Sequence, residues 1–373
     1  MDTVQALPCH ERMLLALLRA ALTRTVPDED LFRAVSSAQW AACRRLAVEQ
    51  GVMALAWEGV QRLPAVLQPP KALKLAWALA VERQEQRYAT YVRTAVDLSR
   101  FYAERGITTV LLKGVGLSVC YPVPCHREGG DIDIFTCSAD PARMEDKEAN
   151  YRADRLMEEL GIDVEYGLSA KHSLFYYRGI PVENHKTFLD VDRYASAAGM
   201  ERRLRQCLSP VQVTMEGGAG CLLVPSPAFN TWFLAFHAAQ HFARGMVLRH
   251  LCDWACLLSQ GGGQWPAEAA DRCLHEWMQA MTQVCHHCLG TAVCVEGGEA
   301  LGSLLLEEVL HPRYAMEVPV EGRWAILTYK TKRFLYRWRM SRRVLRASLL
   351  HEVALSVRNH VRHPGWIFRR EQV

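Results

Sequence analysis

No stretch of this 373-residue chain is both long and apolar enough to cross a bilayer. The longest run without Asp, Glu, Lys or Arg, Gly217 to Ala243, holds Pro225, Pro227, Asn230, His237, Gln240 and His241, the wrong content for a span. A secretory leader is not readable either, because Arg19 breaks the apolar run Met13–Leu18 and no small-residue cleavage site follows. The thirteen cysteines are odd in number and scattered from Cys9 to Cys294, so no disulfide framework is expected; free thiols in a reducing cytoplasm are. Repeats and low-complexity tracts are missing, as are the G-x-x-x-x-G-K-[ST] loop, the G-x-G-x-x-G fingerprint and the G-x-S-x-G elbow. Those gaps set aside solenoids, P-loop enzymes, dinucleotide-binding folds and α/β-hydrolases.

What remains is an ordinary globular composition, half hydrophobic and 23% charged. The length exceeds what one core usually carries, so two or three domains are expected. Charge is unevenly spread. From Lys330 onward twelve Lys or Arg face only Glu352 and Glu371, a local +10 in a chain of net +4, which leaves −6 on the rest. Trp324, Phe334, Tyr336, Trp338 and Trp366 interleave with these cations. Such a tail suits nucleic acid or a membrane surface, and equally an amphipathic helix whose arginines lie over the protein's own body.

Residues 1–104 read as a helical region, with apolar positions three and four apart (Leu14, Leu17, Leu18, Ala21) and breaks at Pro27, Gly51 and Pro64–Pro70. A long helix is expected from about Ala72 to Glu104. The pattern changes at Gly106: Ile107–Leu112 is a β-branched run fit for a buried strand, and Asp131–Phe135 alternates with period two. A helix over Pro141–Leu160 and strands at Val164–Tyr166, Leu174–Tyr177 and Val182–Leu189 follow, the last two joined by a turn at Arg178-Gly179. Residues 226–373 return to helix, clearest at Phe229–Ala243, Met246–Leu258 and Trp265–Cys294. The expected fold is therefore α+β, with a small mixed-sheet core at 105–225 between two helical regions.

The chemistry concentrates in Leu111–Phe135, LLKGVGLSVCYPVPCHREGGDIDIF. Strand alternation puts Asp131 and Asp133 on one face, and two carboxylates so placed repel unless a cation relieves them. Hard oxygens suit Mg²⁺ or Mn²⁺. Upstream, Lys113-Gly114-Val115-Gly116 follows a buried strand and opens a helix expected to reach Cys120, offering free N–H groups and a full positive charge to an anion.

Lys-Gly after a strand, then Tyr121-Pro122, Arg127 and Asp131-Ile-Asp133, resembles the active site of the DNA polymerase β-like nucleotidyltransferase superfamily, and within it the uncharacterised nucleotidyltransferase family. Trp40, Leu46-Ala47 and Gly51-Val52 are similar to that family's N-terminal helical signature. His237, His241 and Asp253 are similar to its C-terminal one, so the resemblance covers roughly residues 35–260. It implies a third carboxylate, for which Glu183 in Pro181-Val-Glu-Asn-His185 is the candidate, with Asp190 and Asp192 as alternatives. Asn184 and Lys186 depart from the family, which more often has an apolar residue and an aromatic there.

What the resemblance implies is metal-dependent transfer of a nucleoside monophosphate from an NTP to an acceptor hydroxyl: a small molecule, a protein or an RNA end. Asp131, Asp133 and Glu183 would hold Mg²⁺ or Mn²⁺, with Glu183 also a general base. Lys113, Gly114 and Gly116 would grip the triphosphate. Arg127 would steady the pyrophosphate or pair with an aspartate. His185, His237 and His241 are the expected substrate contacts. The rival expectation is a non-catalytic nucleotide- or nucleic-acid-binding module on the same fold.

Two further patterns bear on metals. His237 and His241 have the spacing of a zincin site, but Ala238 stands where its general-base Glu belongs, and core or interface histidines have the same spacing. Cys285-His-His-Cys288 looks like half a zinc site without a second pair, in a segment that reads as helix.

Overall fold

The proline and glycine breaks fall where helices end. A computed structural model describes residues 2–140, 147–167, 171–192, 194–215, 220–262, 265, 271–315 and 317–368. Its N-terminal helices are α1 (Asp2–Gln5), α2 (Cys9–Thr23), α3 (Ser37–Glu49), α4 (Met53–Arg62) and α5 (Lys71–Ala103). Ser36 and Gln39 form a reciprocal capping box at the start of α3, and Pro70 immediately precedes α5.

The central part runs β1 (Ile107–Leu111), α6 (Val115–Ser118), β2 (Ile132–Ser138), α7 (Lys147–Glu159), β3 (Val164–Tyr166), β4 (His172–Tyr177), β5 (Ile180–His185), α8 (Ala195–Cys207), β6 (Pro210–Met215) and β7 (Gly220–Pro225). All seven strands form one mixed sheet in the order β3-β4-β5-β2-β1-β7-β6. The pairs β1–β2, β3–β4, β4–β5 and β6–β7 are antiparallel; β2–β5 and β1–β7 are parallel. Then come α9 (Pro227–His241), α10 (Leu248–Ser259), α11 (Arg272–Val284), α12 (Glu299–Leu310), α13 (Arg323–Leu345) and α14 (Leu349–Arg362).

Two apolar clusters hold these layers. One seats the end of α5 (Val92, Leu98, Tyr102) and Met157 of α7 against Ile107, Ile132, Ile134 and Val182 of the sheet. The other joins Leu14, Leu17 and Leu55 of the N-terminal helices to Phe236, Leu251, Trp254 and Met278 of the C-terminal ones. The two helical regions, far apart in sequence, thus share a core. Within the N-terminal helices, Gly59 lets α4 lie close on α2, since a Cβ there would sit 2.3 Å from the Leu17 carbonyl oxygen.

Several expectations are corrected. The helix after Gly114 is a single turn ending at Ser118 rather than reaching Cys120. The strand expected to reach Leu189 stops at His185, because the Lys186 and Thr187 N–H groups both donate to the Lys171 carbonyl and turn the chain out of the sheet. The helix expected from Pro141 is described from Lys147; 141–146 lie outside the described residues. Trp265–Cys294 is not one helix, since α11 spans Arg272–Val284 and Cys285–Leu289 is a π-helical turn closed by Gly290 at φ 76°. Within that turn Cys285 is buried and its thiol donates to the Leu251 carbonyl, while burial pushes the Cys288 thiol up to about 11. These are packed thiols, not a metal half-site. All thirteen cysteines are free.

The basic segment folds onto the body as α13 and α14. Arg333 and Arg337 are buried, donating to the carbonyls of Ala315 and Ala243, and Arg346 lies 3.7 Å from Asp271. Glu352 takes Arg244. Among the described residues no helix is long and apolar enough to cross a membrane.

Candidate active site

Two parallel strands bring the acids together. β2 and β5 pair with Asp133 directly opposite Glu183, Ile132 opposite Val182 and Ile134 opposite Asn184. Because side chains alternate, Asp133 and Glu183 share one face while Ile132, Ile134 and Val182 enter the core. Asp131 stands just before β2 on the Asp133 side. Ligating oxygens of Asp131, Asp133 and Glu183 lie within 4.8 Å of one another. Asp190 and Asp192 fall beyond the end of β5 and are not in that group.

Beside the acids, β1 ends in a tight turn. The Leu112 N–H donates to the Asp133 carbonyl, and Gly114 adopts φ 56°, ψ −121°, a conformation only glycine takes readily. A Cβ at Gly114 would face the Asp131 carbonyl oxygen at 3.3 Å and Asp133 Oδ2 at 3.8 Å. At Gly116 it would sit 2.3 Å from the Leu111 carbonyl oxygen, so only glycine lets the turn close. With α6 a single turn, the helix dipole adds little; what the turn presents is the Lys113 ammonium and the backbone N–H groups ahead of Gly116, whose own N–H donates to the Lys113 carbonyl. A cleft lined by Arg87, Tyr88, Tyr91, Gly114, Gly129 and Asp131 opens next to this turn.

Charge is tightly balanced around Asp133, which is 1% exposed. Its Oδ1 lies 2.7 Å from Lys113 Nζ and 3.0 Å from His185 Nε2. Burial would raise the Asp133 pKa, but Lys113 and His185 outweigh it and hold the carboxyl well below the usual range. Asp131 goes the other way: burial, then the neighbouring Asp133, push it up to about 6. Burial alone would raise Glu183 too, yet its hydrogen bond with His185 keeps it low. For Lys113, Asp133 and the other acids outweigh burial and lift the ammonium above its ordinary value.

Asp133 Oδ2 is buried and has no hydrogen-bond partner among the described residues. An orphaned carboxylate oxygen of this kind is costly; it lies beside the Gly114 turn, on the residue that groups with Asp131 and Glu183. Three hard oxygens, one unsatisfied and one destabilised by its neighbour, fit Mg²⁺ or Mn²⁺.

Arg127 is committed elsewhere. Its Nε and Nη2 both donate to Asp253 of α10 at 2.8 Å, and the Tyr121 hydroxyl donates to the same carboxylate at 2.5 Å. An aspartate pairing is thus present, with Asp253 rather than Asp131 or Asp133 as the partner, and Arg127 still lines the cleft beside Gly114 and Asp131. This buried clamp ties the loop before β2 to the C-terminal helices.

Sequence reasoning did not single out Lys171 and His172. Arg178 and Gly179 both have positive φ (52° and 77°), the backbone of a two-residue type I′ hairpin turn. Counting back from it sets Leu174 opposite Glu183 and His172 opposite His185, so the hairpin register carried that signal. Burial and the Lys113 charge lower the Lys171 pKa, and Asp133 and Glu183 also act on it, which places this second ammonium at the site.

The departures at Asn184 and Lys186 have a physical reason. Asn184 is buried and donates to Asp154, while its amide oxygen accepts from Thr136 and Asn150; Lys186 pairs with the same Asp154. A polar α7 thus docks on the back of β5 where apolar residues would otherwise pack. His185 sits in the acid cluster; His237 and His241 are on α9, joined by His250 of α10.

A family described as "uncharacterised nucleotidyltransferase" matches residues 36–290, and the chain belongs to it. The crystal structure of an antigenic nucleotidyltransferase-like protein from Paracoccidioides brasiliensis is similar at 13% identity and a TM-score of 0.36, covering 55% of this chain and 94% of that one. No curated protein matches the sequence.

Proposed function

We propose that this nucleotidyltransferase-family protein moves a nucleoside monophosphate from an NTP to an acceptor hydroxyl and releases pyrophosphate. The observation that carries the reading is the convergence of Asp131, Asp133 and Glu183 within 4.8 Å beside a glycine turn and a buried lysine. Asp131, Asp133 and Glu183 would hold Mg²⁺ or Mn²⁺, which when bound neutralises charge on the phosphate and acidifies the acceptor hydroxyl. Lys113 and the backbone N–H groups of Gly114 and Val115 bind the triphosphate, while the Gly116 N–H closes the turn on the Lys113 carbonyl, with Lys171 the second cation at hand. Glu183, more open than Asp133 and kept ionised by His185, takes the acceptor proton. His185 holds Asp133 Oδ1 and Glu183 in place from below.

The test is incubation with each labelled NTP in Mg²⁺ or Mn²⁺, reading pyrophosphate release and labelled product. Metal-dependent release supports the reading. One observation favours a binding module instead: the Lys113 ammonium already balances Asp133 as a metal would. Tight NTP binding with no release in either metal and with several acceptors selects that second reading.

A further inference from the structure

α9 ends and α10 begins with imidazoles facing one another. His237 and His241 are one helical turn apart on α9, and His250 comes from the first turn of α10. Ring centroids are 4.6 Å (237–241), 5.0 Å (241–250) and 5.9 Å (237–250) apart. One ring nitrogen from each lies within 4.8 Å of the other two. All three residues are partly exposed, so an ion in solution reaches them. Phe233 stacks on His237. Among the described residues the two imidazoles meet other rings, with His237 against Phe233, His241 and His250, and His241 against His237 and His250. His250 is anchored from behind, its Nδ1 3.1 Å from the Val247 carbonyl oxygen. The Val247 N–H donates to the same Nδ1 at 3.2 Å, so the His250 ring is fixed by the backbone just ahead of its own helix.

The donor set decides which ligand chemistry fits. Three imidazole nitrogens converge with no carboxylate among them, and a borderline cation takes imidazole where Mg²⁺ prefers carboxylate.

We infer that His237, His241 and His250 form a three-imidazole site for Zn²⁺ or a similar borderline transition-metal ion, separate from the carboxylate site and with its fourth position left to water or a substrate atom. Tetrahedral Zn–N bonds of about 2.0–2.1 Å need the nitrogens somewhat closer than they stand, which side-chain rotation on two helix ends provides. Lys113, Lys171 and Arg249 face the cluster and oppose a dication, so the affinity rests on covalent imidazole bonding rather than on field. The two sites divide metals by hardness.

The experiment uses metal-free full-length protein without nucleotide. Zn²⁺ is titrated against a chromogenic chelator, and Co²⁺ is titrated while reading visible d–d absorption. One equivalent of Zn²⁺ and a four- or five-coordinate Co²⁺ spectrum are expected in the wild type and in Asp131→Asn. His241→Ala and His250→Gln should each weaken Zn²⁺ binding at least tenfold, with folding checked by circular dichroism. If those variants fail to fold, Zn²⁺ protection of the three histidines from acylation in the wild type, read by mass spectrometry, replaces them. No Zn²⁺ binding, no histidine protection, or undiminished affinity in folded His241→Ala overturns the site. Since no NTP is used, that failure is distinct from a failure of nucleotidyl transfer.

Discussion

Asp133 keeps its charge while almost fully buried because Lys113 and His185 both address Oδ1, which leaves Asp131 to absorb the repulsion. A carboxyl whose folded pKa is raised from its ordinary 3.8 to about 6 costs the fold stability as pH climbs through that window. In metal-free protein, Asp131→Asn should therefore melt higher than wild type at pH 7.5. The difference should shrink as pH falls below about 6 and vanish below about 4. Thermal melts in chelator across that range check it, and a lower melting point for the variant at pH 7.5 contradicts it. Mn²⁺ should reverse the order by stabilising only the wild type, more at pH 7.5 than at pH 5, since metal and proton compete for Asp131.

At the element scale, the strands β2 and β5 were legible because each carries a strong local signal, while their side-by-side placement was implied only by the resemblance. Alternation fixed the face shared by Asp131 and Asp133, and Lys113-Gly114 marked the end of β1, although the positive φ at Gly114 was not read from the sequence. The strands β6 and β7 went unread. Their antiparallel pairing with each other and the parallel partnership Val110–Leu223 are tertiary pairings that no local period encodes. Arg127 shows the same limit: its partner Asp253 lies 126 residues away, so only the fold reveals the clamp. Asp253→Asn should leave the buried Arg127 guanidinium uncompensated and cost about 3–5 kcal/mol in urea unfolding. A loss below about 1 kcal/mol would mean the pair is no clamp.

Across the whole molecule, α2 and α4 share a core with α9–α12, and α13 packs on α9 and α11. The basic segment is thus part of the body, with Arg337 and Glu352 buried in it. Truncation before Lys330 should lower the melting temperature or abolish a cooperative transition, rather than merely remove a surface charge. An unchanged melt would show α13 and α14 to be an independent appendage. The central claim is that three acids on two adjoining strands perform the transfer, and Glu183→Gln probes it most directly, because this partly exposed residue can lose its charge without unfolding the sheet. Pyrophosphate release from NTP in Mg²⁺ or Mn²⁺ should fall at least about 100-fold in Glu183→Gln with the fold intact. Release at the wild-type rate in that variant would contradict the account.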